Sequence, residues 1–217
     1  MPDKFTIVCF GDSFIEGQGD EARKGGWVGR LQEMLPSNNI PYQCRVLNLG
    51  IGGDTIRDLQ YRLGEVLLRK PNLVILGCGI NDIGLAINPV HKEGIEEPRI
   101  SRYVADKSWL YVLDILQKSV PNILVMENTY VIEEKEPAGL YILNNDIKNW
   151  NVFISDECMK RNISFLKIAG LNSNIHNSDS VHLNAAGYSI YAAQVYNFIK
   201  NQNWLPKELQ EEMKEAI

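Results

Sequence analysis

The chain has 217 residues, 45% of them hydrophobic and 23% charged, with a formal net charge of −5. That size suits one compact domain with a sizeable core, so residues 1–217 are expected to form a single unit. The acidic surplus argues against nucleic acid or an anionic membrane as a partner, and the four cysteines (Cys9, Cys44, Cys78, Cys158) lack the paired spacing of a zinc or redox site.

Lys4 to Phe10 is a short apolar, β-branched run closed by Gly11-Asp12, which predicts a first strand. It is too short for a signal peptide, and the apolar run Leu73 to Ile80 falls far below the roughly 20 residues needed to span a bilayer. A reducing, cytoplasmic location without membrane insertion is therefore expected. Trp27 to Leu35 has helical spacing and stops at Pro36. Gln43 to Leu49 predicts strand two, broken by a glycine-rich turn. Thr55 can cap a helix to about Arg69 that sets Ile56, Leu59, Leu63 and Val66 on one face.

Leu73 to Cys78 is almost wholly apolar, the pattern of a central strand covered on both faces. A long polar connection, 84–102, leads to a helix over 103–119, and Asn122 to Glu127 predicts strand four. A second connection, 130–140, precedes a helix over 142–161, and Ile163 to Ile168 predicts strand five. Asn184 caps a last long helix to Lys200, and 206–217 reads as a charged helical tail exposed to solvent. Strands alternating with helices of this length mean an α/β fold with a mostly parallel five-stranded sheet. Ligands of such sheets bind beyond the carboxyl ends of the strands.

The residues that carry chemistry fall at those ends. Ser13 follows strand one in Gly11-Asp12-Ser13-Phe14, where a sheet can present a nucleophile. His182 is the only histidine with a carboxylate three residues before it, Asp179, which could accept from Nδ1 and leave Nε2 free as a base. His91 and His176 lack such a partner and are expected to be solvated. Gly53, after strand two, offers an N–H without a side chain in the way. Asn81, after strand three, can aim an amide at a developing negative charge. Taken singly, each of these glycines, serines and asparagines is also an ordinary turn or cap residue.

Taken in order, the four loops resemble the SGNH (GDSL-like) hydrolase family. Gly11-Asp12-Ser13 is similar to its first block, Gly53 in Gly-Gly-Asp-Thr to its second, Gly79-Ile80-Asn81-Asp82 to its third, and Asp179-Ser180-Val181-His182 to its fifth. Phe14 stands where many members have leucine, and Leu183 where many have proline. The resemblance implies a flavodoxin-like three-layer α/β/α sandwich. It makes Ser13 the nucleophile and its N–H an oxyanion donor, with Gly53 N–H and the Asn81 amide completing the hole. His182 would be the general base and Asp179 its orienter. Phe14 is expected to change packing and not chemistry.

The activity so implied is serine-dependent hydrolysis of carboxylic esters through an acyl-enzyme, with short acyl chains the first expectation and a small-molecule ester as partner. Deacetylation of a small carbohydrate conjugate, or lysophospholipase or thioesterase activity, are the alternatives within that chemistry. From other classes come a metal-dependent phosphatase, drawing on Asp12, Asp54, Asp82 and Asp179, and a non-catalytic binding module. Gly17-Gln18-Gly19-Asp20-Glu21-Ala22 matches a dinucleotide fingerprint by letter but begins too far past the strand. No cofactor or metal is expected. Trp27, Tyr130, Ile132 and Tyr141 are candidates for lining the substrate pocket, and Arg57 is expected on a helix surface.

Overall fold

The computed structural model describes residues 3–36, 42–87, 95–133 and 140–215. His91 and the central parts of the two long connections lie outside them, as does the side chain of Tyr141. In chain order the elements begin with β1 (Asp3–Gly11), α1 (Ser13–Glu16), α2 (Gly26–Met34), β2 (Tyr42–Gly50), α3 (Ile56–Leu67) and β3 (Leu73–Gly77). There follow α4 (Ile80–Ile83), β4 (Leu85–Ile87), β5 (Ile95–Pro98), α5 (Arg102–Ser119), β6 (Asn122–Met126) and β7 (Leu140–Tyr141). The chain continues through α6 (Asn144–Lys160), β8 (Ser164–Leu166), α7 (Ser173–His176), α8 (Ala185–Lys200) and α9 (Lys207–Glu215).

Five strands form one wholly parallel sheet in the order β2-β1-β3-β6-β8. The chain leaves β1 for one edge, then returns over it to β3 and proceeds to the other edge. The connections after β1 and β3 therefore diverge, and the crevice between them is where a sheet of this order binds ligands. Alternate side chains of a strand point to opposite faces, which divides the core in two. Ile7, Cys9 and Ile75 join the cluster that contains α2 and α8; Val8, Phe10, Val74 and Leu76 join the one that contains α3 and α5. The result is the three-layer α/β/α arrangement that the alternating elements predict.

Local signals hold at the helix starts. Thr55 and Asp58 form a reciprocal capping box on α3, and Asn184 Oδ1 accepts the Gly187 N–H at 2.9 Å to cap α8. The predicted α3 face, Ile56, Leu59, Leu63 and Val66, is buried.

Three expectations change. Inside the two long connections, β4, β5 and β7 make a second, antiparallel sheet in the order β5-β4-β7. Strands of two to four residues are too short to display an alternating pattern, so they read as loop. The tail helix α9 is charged but not wholly solvated, because Leu209 and Met213, four residues apart on one face, are buried in the core cluster. Trp27 is fully buried against Tyr191, with ring centroids 5.5 Å apart, which makes it a core residue. All four cysteines are buried and free. Among the described residues no helix is long and apolar enough to cross a membrane.

Candidate active site

Ser13 opens the single-turn helix α1 at the carboxyl end of β1. The preceding residue, Asp12, caps that turn by accepting the Phe14 N–H on Oδ1 at 3.0 Å. This fixes the backbone where the serine stands and leaves Ser13 only 7% exposed.

The histidine arrives from the other end of the chain. A bridge between Asn177 and Leu183 closes a tight loop, and the Ser178 N–H donates to the His182 carbonyl at 2.9 Å. Inside that loop Asp179 Oδ1 accepts the N–H groups of Val181 and His182, both at 2.7 Å. Its other oxygen lies 2.8 Å from His182 Nδ1, and His182 Nε2 lies 2.9 Å from Ser13 Oγ. Burial pushes the Asp179 carboxyl up, but the His182 ring and the two backbone donors outweigh it and hold the pKa below the usual carboxylate value. Phe14 packs on the imidazole with ring centroids 6.0 Å apart, so the residue that departs from the family pattern is a wall of the histidine's site.

Gly19 explains part of the segment that mimics a dinucleotide fingerprint. Its φ is +85°, and a Cβ there would fall 2.8 Å from the His182 Cβ and 2.3 Å from Ser178 Oγ. Only a glycine lets this turn lie against the histidine loop. Asp20, next in line, is an internal brace, taking two hydrogen bonds from Arg30 at 2.6 and 2.9 Å.

The second and third loops interlock opposite the histidine. Gly53 has φ +84°, the left-handed region that turns its N–H out of the strand direction. Among the described residues, neither the Ser13 nor the Gly53 N–H is spent on a backbone carbonyl. Asn81 Nδ2 donates to the Asp54 carbonyl at 3.0 Å. One of its two amide hydrogens is thereby anchored, which orients the other. Asp82 accepts the Ile56 N–H on both carboxylate oxygens, at 3.1 and 3.2 Å, tying the third loop to the start of α3. Arg99 reaches in from beyond β5 to donate to the Gly53 carbonyl at 2.6 Å. The sequence offers no signal for that contact, since a loop arginine 46 positions away looks like any surface charge.

The four aspartates of the metal alternative are spent separately: Asp12 on a helix cap, Asp54 on Arg62, Asp82 on Ile56 and Asp179 on His182. Among the described residues, no group of three or more His, Cys, Asp or Glu side chains is placed to hold a metal ion. Burial raises Asp12 to about 7 and Asp82 to about 8, and each also feels the negative charge of neighbouring acids. His176 is partly buried, its Nδ1 accepting the Asn172 N–H at 2.9 Å. Arg57 is an exposed helix residue against Tyr61, as expected. Described parts of both long connections border cavities beside the site. Pro98 and Ile100 line one of about 250 Å³ next to Asp82, and Tyr130 lines another near the histidine loop.

Comparison with known proteins places this geometry. A model of the GDSL-like lipase/acylhydrolase family matches residues 9–190. The chain is 26% identical over 226 residues to the uncharacterized protein YpmR of Bacillus subtilis (strain 168), covering 95% of this chain and 85% of that protein. A shorter stretch of 84 residues, 36% of each chain, is 42% identical to an acetylxylan esterase of Geobacillus stearothermophilus. In fold it is similar to the crystal structure of Axe2, an acetylxylan esterase from the same organism, with a TM-score of 0.70 at 21% identity over 95% of this chain and 100% of that one. The lipase/acylhydrolase of Enterococcus faecalis superposes with a TM-score of 0.68 at 21% identity, covering 90% of this chain and 95% of its own. With a family model spanning most of the sequence and the matching loops gathered at one edge of one parallel sheet, the chain belongs to the GDSL-like lipase/acylhydrolase family and is a carboxylic ester hydrolase.

Proposed function

We propose that the protein hydrolyses short-chain carboxylic esters of small molecules through an acyl-enzyme on Ser13. The observation that carries this reading is the continuous chain of contacts Ser13 Oγ, His182 Nε2, His182 Nδ1, Asp179 Oδ2, at 2.9 and 2.8 Å. His182 takes the serine proton as Oγ attacks the ester carbonyl, and Asp179 keeps the ring in the required tautomer and balances its charge. The carbonyl oxygen becomes an oxyanion, met by the N–H groups of Ser13 and Gly53 and by the unanchored amide hydrogen of Asn81. His182 then returns the proton to the departing alcohol, and water repeats the sequence on the acyl-serine.

The low exposure of Ser13 favours a short acyl group. The 84-residue likeness to an acetylxylan esterase favours acetyl esters of a carbohydrate as the second reading. The cytoplasm is the proposed compartment, supported by four free, buried cysteines.

The test is hydrolysis of p-nitrophenyl esters from acetate to decanoate by wild type, Ser13→Ala and His182→Ala. Each variant is expected to lose about 10⁴-fold or more in kcat. Wild-type rates in either variant would exclude the pair.

A further inference from the structure

Two consecutive carbonyls of the second loop are held by side chains from one stretch of chain. The Asp54 carbonyl accepts from Asn81 Nδ2 at 3.0 Å, and the Gly53 carbonyl accepts from Arg99 Nη1 at 2.6 Å. Asn81 stands on α4 at the start of that stretch, and Arg99 follows β5 at its end. Between them β4 pairs antiparallel with β5, setting Leu85 opposite Pro98. The chain that leaves the third loop is thereby folded back, and it delivers Arg99 to the second.

The second loop depends on such holders. Residues 51–54 form a hydrogen-bonded turn, the Asp54 N–H donating to the Ile51 carbonyl at 3.2 Å, and the two residues between are glycines. Glycine has no side chain to anchor itself and reaches more of backbone space than any other residue. The order of this turn must therefore come from bonds that other segments make to it. Glu16, on the same short helix as Ser13, accepts the Gly52 N–H at 2.7 Å. Arg62 pairs with the Asp54 carboxylate and donates to the Leu49 carbonyl at 3.0 Å. Those two hold the flanks. Among the described residues, the hydrogen bond from Arg99 is the one made to Gly53 itself. A Cβ built on Gly53 would find only Arg99 Nη1 among them within 4 Å, at 3.8 Å. Arg99 is also exposed, so it contributes little to the core.

We propose that Arg99 is a positioning residue of the oxyanion hole, whose guanidinium fixes the Gly53 carbonyl and with it the direction of the Gly53 N–H. The inference rests on the reading of Ser13, Gly53 and Asn81 as the oxyanion donors. A preorganised donor is effective because it need not be reoriented as charge develops on the carbonyl oxygen. Without Arg99 the Gly53 N–H is on target for a smaller fraction of the time. The deficit falls on kcat, because the ester oxygen bonds strongly to that donor only once it has become negative.

The experiment compares wild type, Arg99→Ala, Arg99→Lys and Asn81→Ala on a neutral ester, p-nitrophenyl acetate, and an anionic one, mono-p-nitrophenyl succinate, with melting temperatures measured alongside. Arg99→Ala is expected to lower kcat about ten- to a hundredfold on both esters, with KM within about twofold and the melting temperature unchanged. Lysine can still donate one hydrogen bond, so Arg99→Lys should recover most of the loss, as should guanidinium ion added to Arg99→Ala. The proposal is overturned if Arg99→Ala keeps the wild-type kcat. It also falls if the loss lies in KM and only for the succinate ester, which would make Arg99 a contact for anionic substrates. A kcat that drops together with the melting temperature, and that neither lysine nor guanidinium restores, would assign Arg99 to the fold instead. Asn81→Ala separates the two levels, since loss of an oxyanion donor costs about 10²–10³-fold. A loss there without one in Arg99→Ala removes only the role of Arg99, whereas a wild-type rate in Asn81→Ala removes the oxyanion reading itself.

Discussion

Two sets of carboxylates on the loops of the candidate site live in opposite surroundings. Asp179 stands at a half-exposed loop with three donors on its two oxygens, and those donors hold its pKa down. Asp12 and Asp82 are 2% and 3% exposed. Asp12 has one backbone donor on Oδ1 and no partner for Oδ2, while Asp82 has the Ile56 N–H and the weak thiol contact of Cys78. The same side chain thus has its pKa lowered on the loop that holds His182 and raised on the first and third loops, to about 7 at Asp12 and about 8 at Asp82. The division would suit the proposed chemistry, in which a positive imidazolium forms on His182 beside Asp179 and a negative oxyanion forms at the donors of the first three loops.

The strongest way to break this contrast is to make one substitution at all three places. Asn replaces a charged carboxylate badly and a neutral carboxyl well. Asp179→Asn is expected to lower kcat about 10³–10⁴-fold, whereas Asp12→Asn and Asp82→Asn should each cost less than about tenfold near pH 6. Steady-state kinetics on p-nitrophenyl acetate decides it. Equal losses at the three positions would mean that the buried pair works in its charged form.

A smaller effect sharpens the same point with pH. Both buried pKa values are raised, so Asp12 and Asp82 hold their protons in acid solution and release them as pH rises through about 7 and about 8 respectively. Each release would put a negative charge near the proposed oxyanion donors and oppose the transition state. The kcat profile should accordingly decline on its alkaline side by about tenfold, and the Asp12→Asn/Asp82→Asn double variant should stay level there. A decline that persists in the double variant would assign it to another group.

The smallest change concerns the wall next to the histidine. Phe14→Leu restores the residue common in the family and removes the ring that packs 6.0 Å from the imidazole. It should move kcat by no more than about threefold, since neither side chain bonds to the imidazole. A loss of about a hundredfold would show that the ring holds His182 in place.

How much of this could be read from the chain alone depends on the range over which each signal acts. Ser13, Asp179 and His182 stand out because strand ends and a three-residue spacing are local facts. Thr55 and Asn184 announce their helices for the same reason. The burial of Asp12 and Asp82 is not a local fact. A carboxylate after a strand is as often solvated as enclosed, and only the packing of α3 and the third loop over the sheet decides. Trp27 looks like a pocket aromatic until α8 is known to cover it. Leu209 and Met213 are two apolar residues among many charges, and their four-residue spacing is the one hint that α9 docks.

The hydrogen bond between Ser13 and His182 joins positions 169 residues apart. During synthesis the serine leaves the ribosome long before its base, by an interval on the order of 10–30 s at ordinary elongation rates. For that time the nascent chain carries a serine without the imidazole proposed to activate it. The loop that carries His182 runs directly into α8, which packs against α2. A chain cut short before His182 would therefore keep the serine and lack the imidazole proposed to activate it.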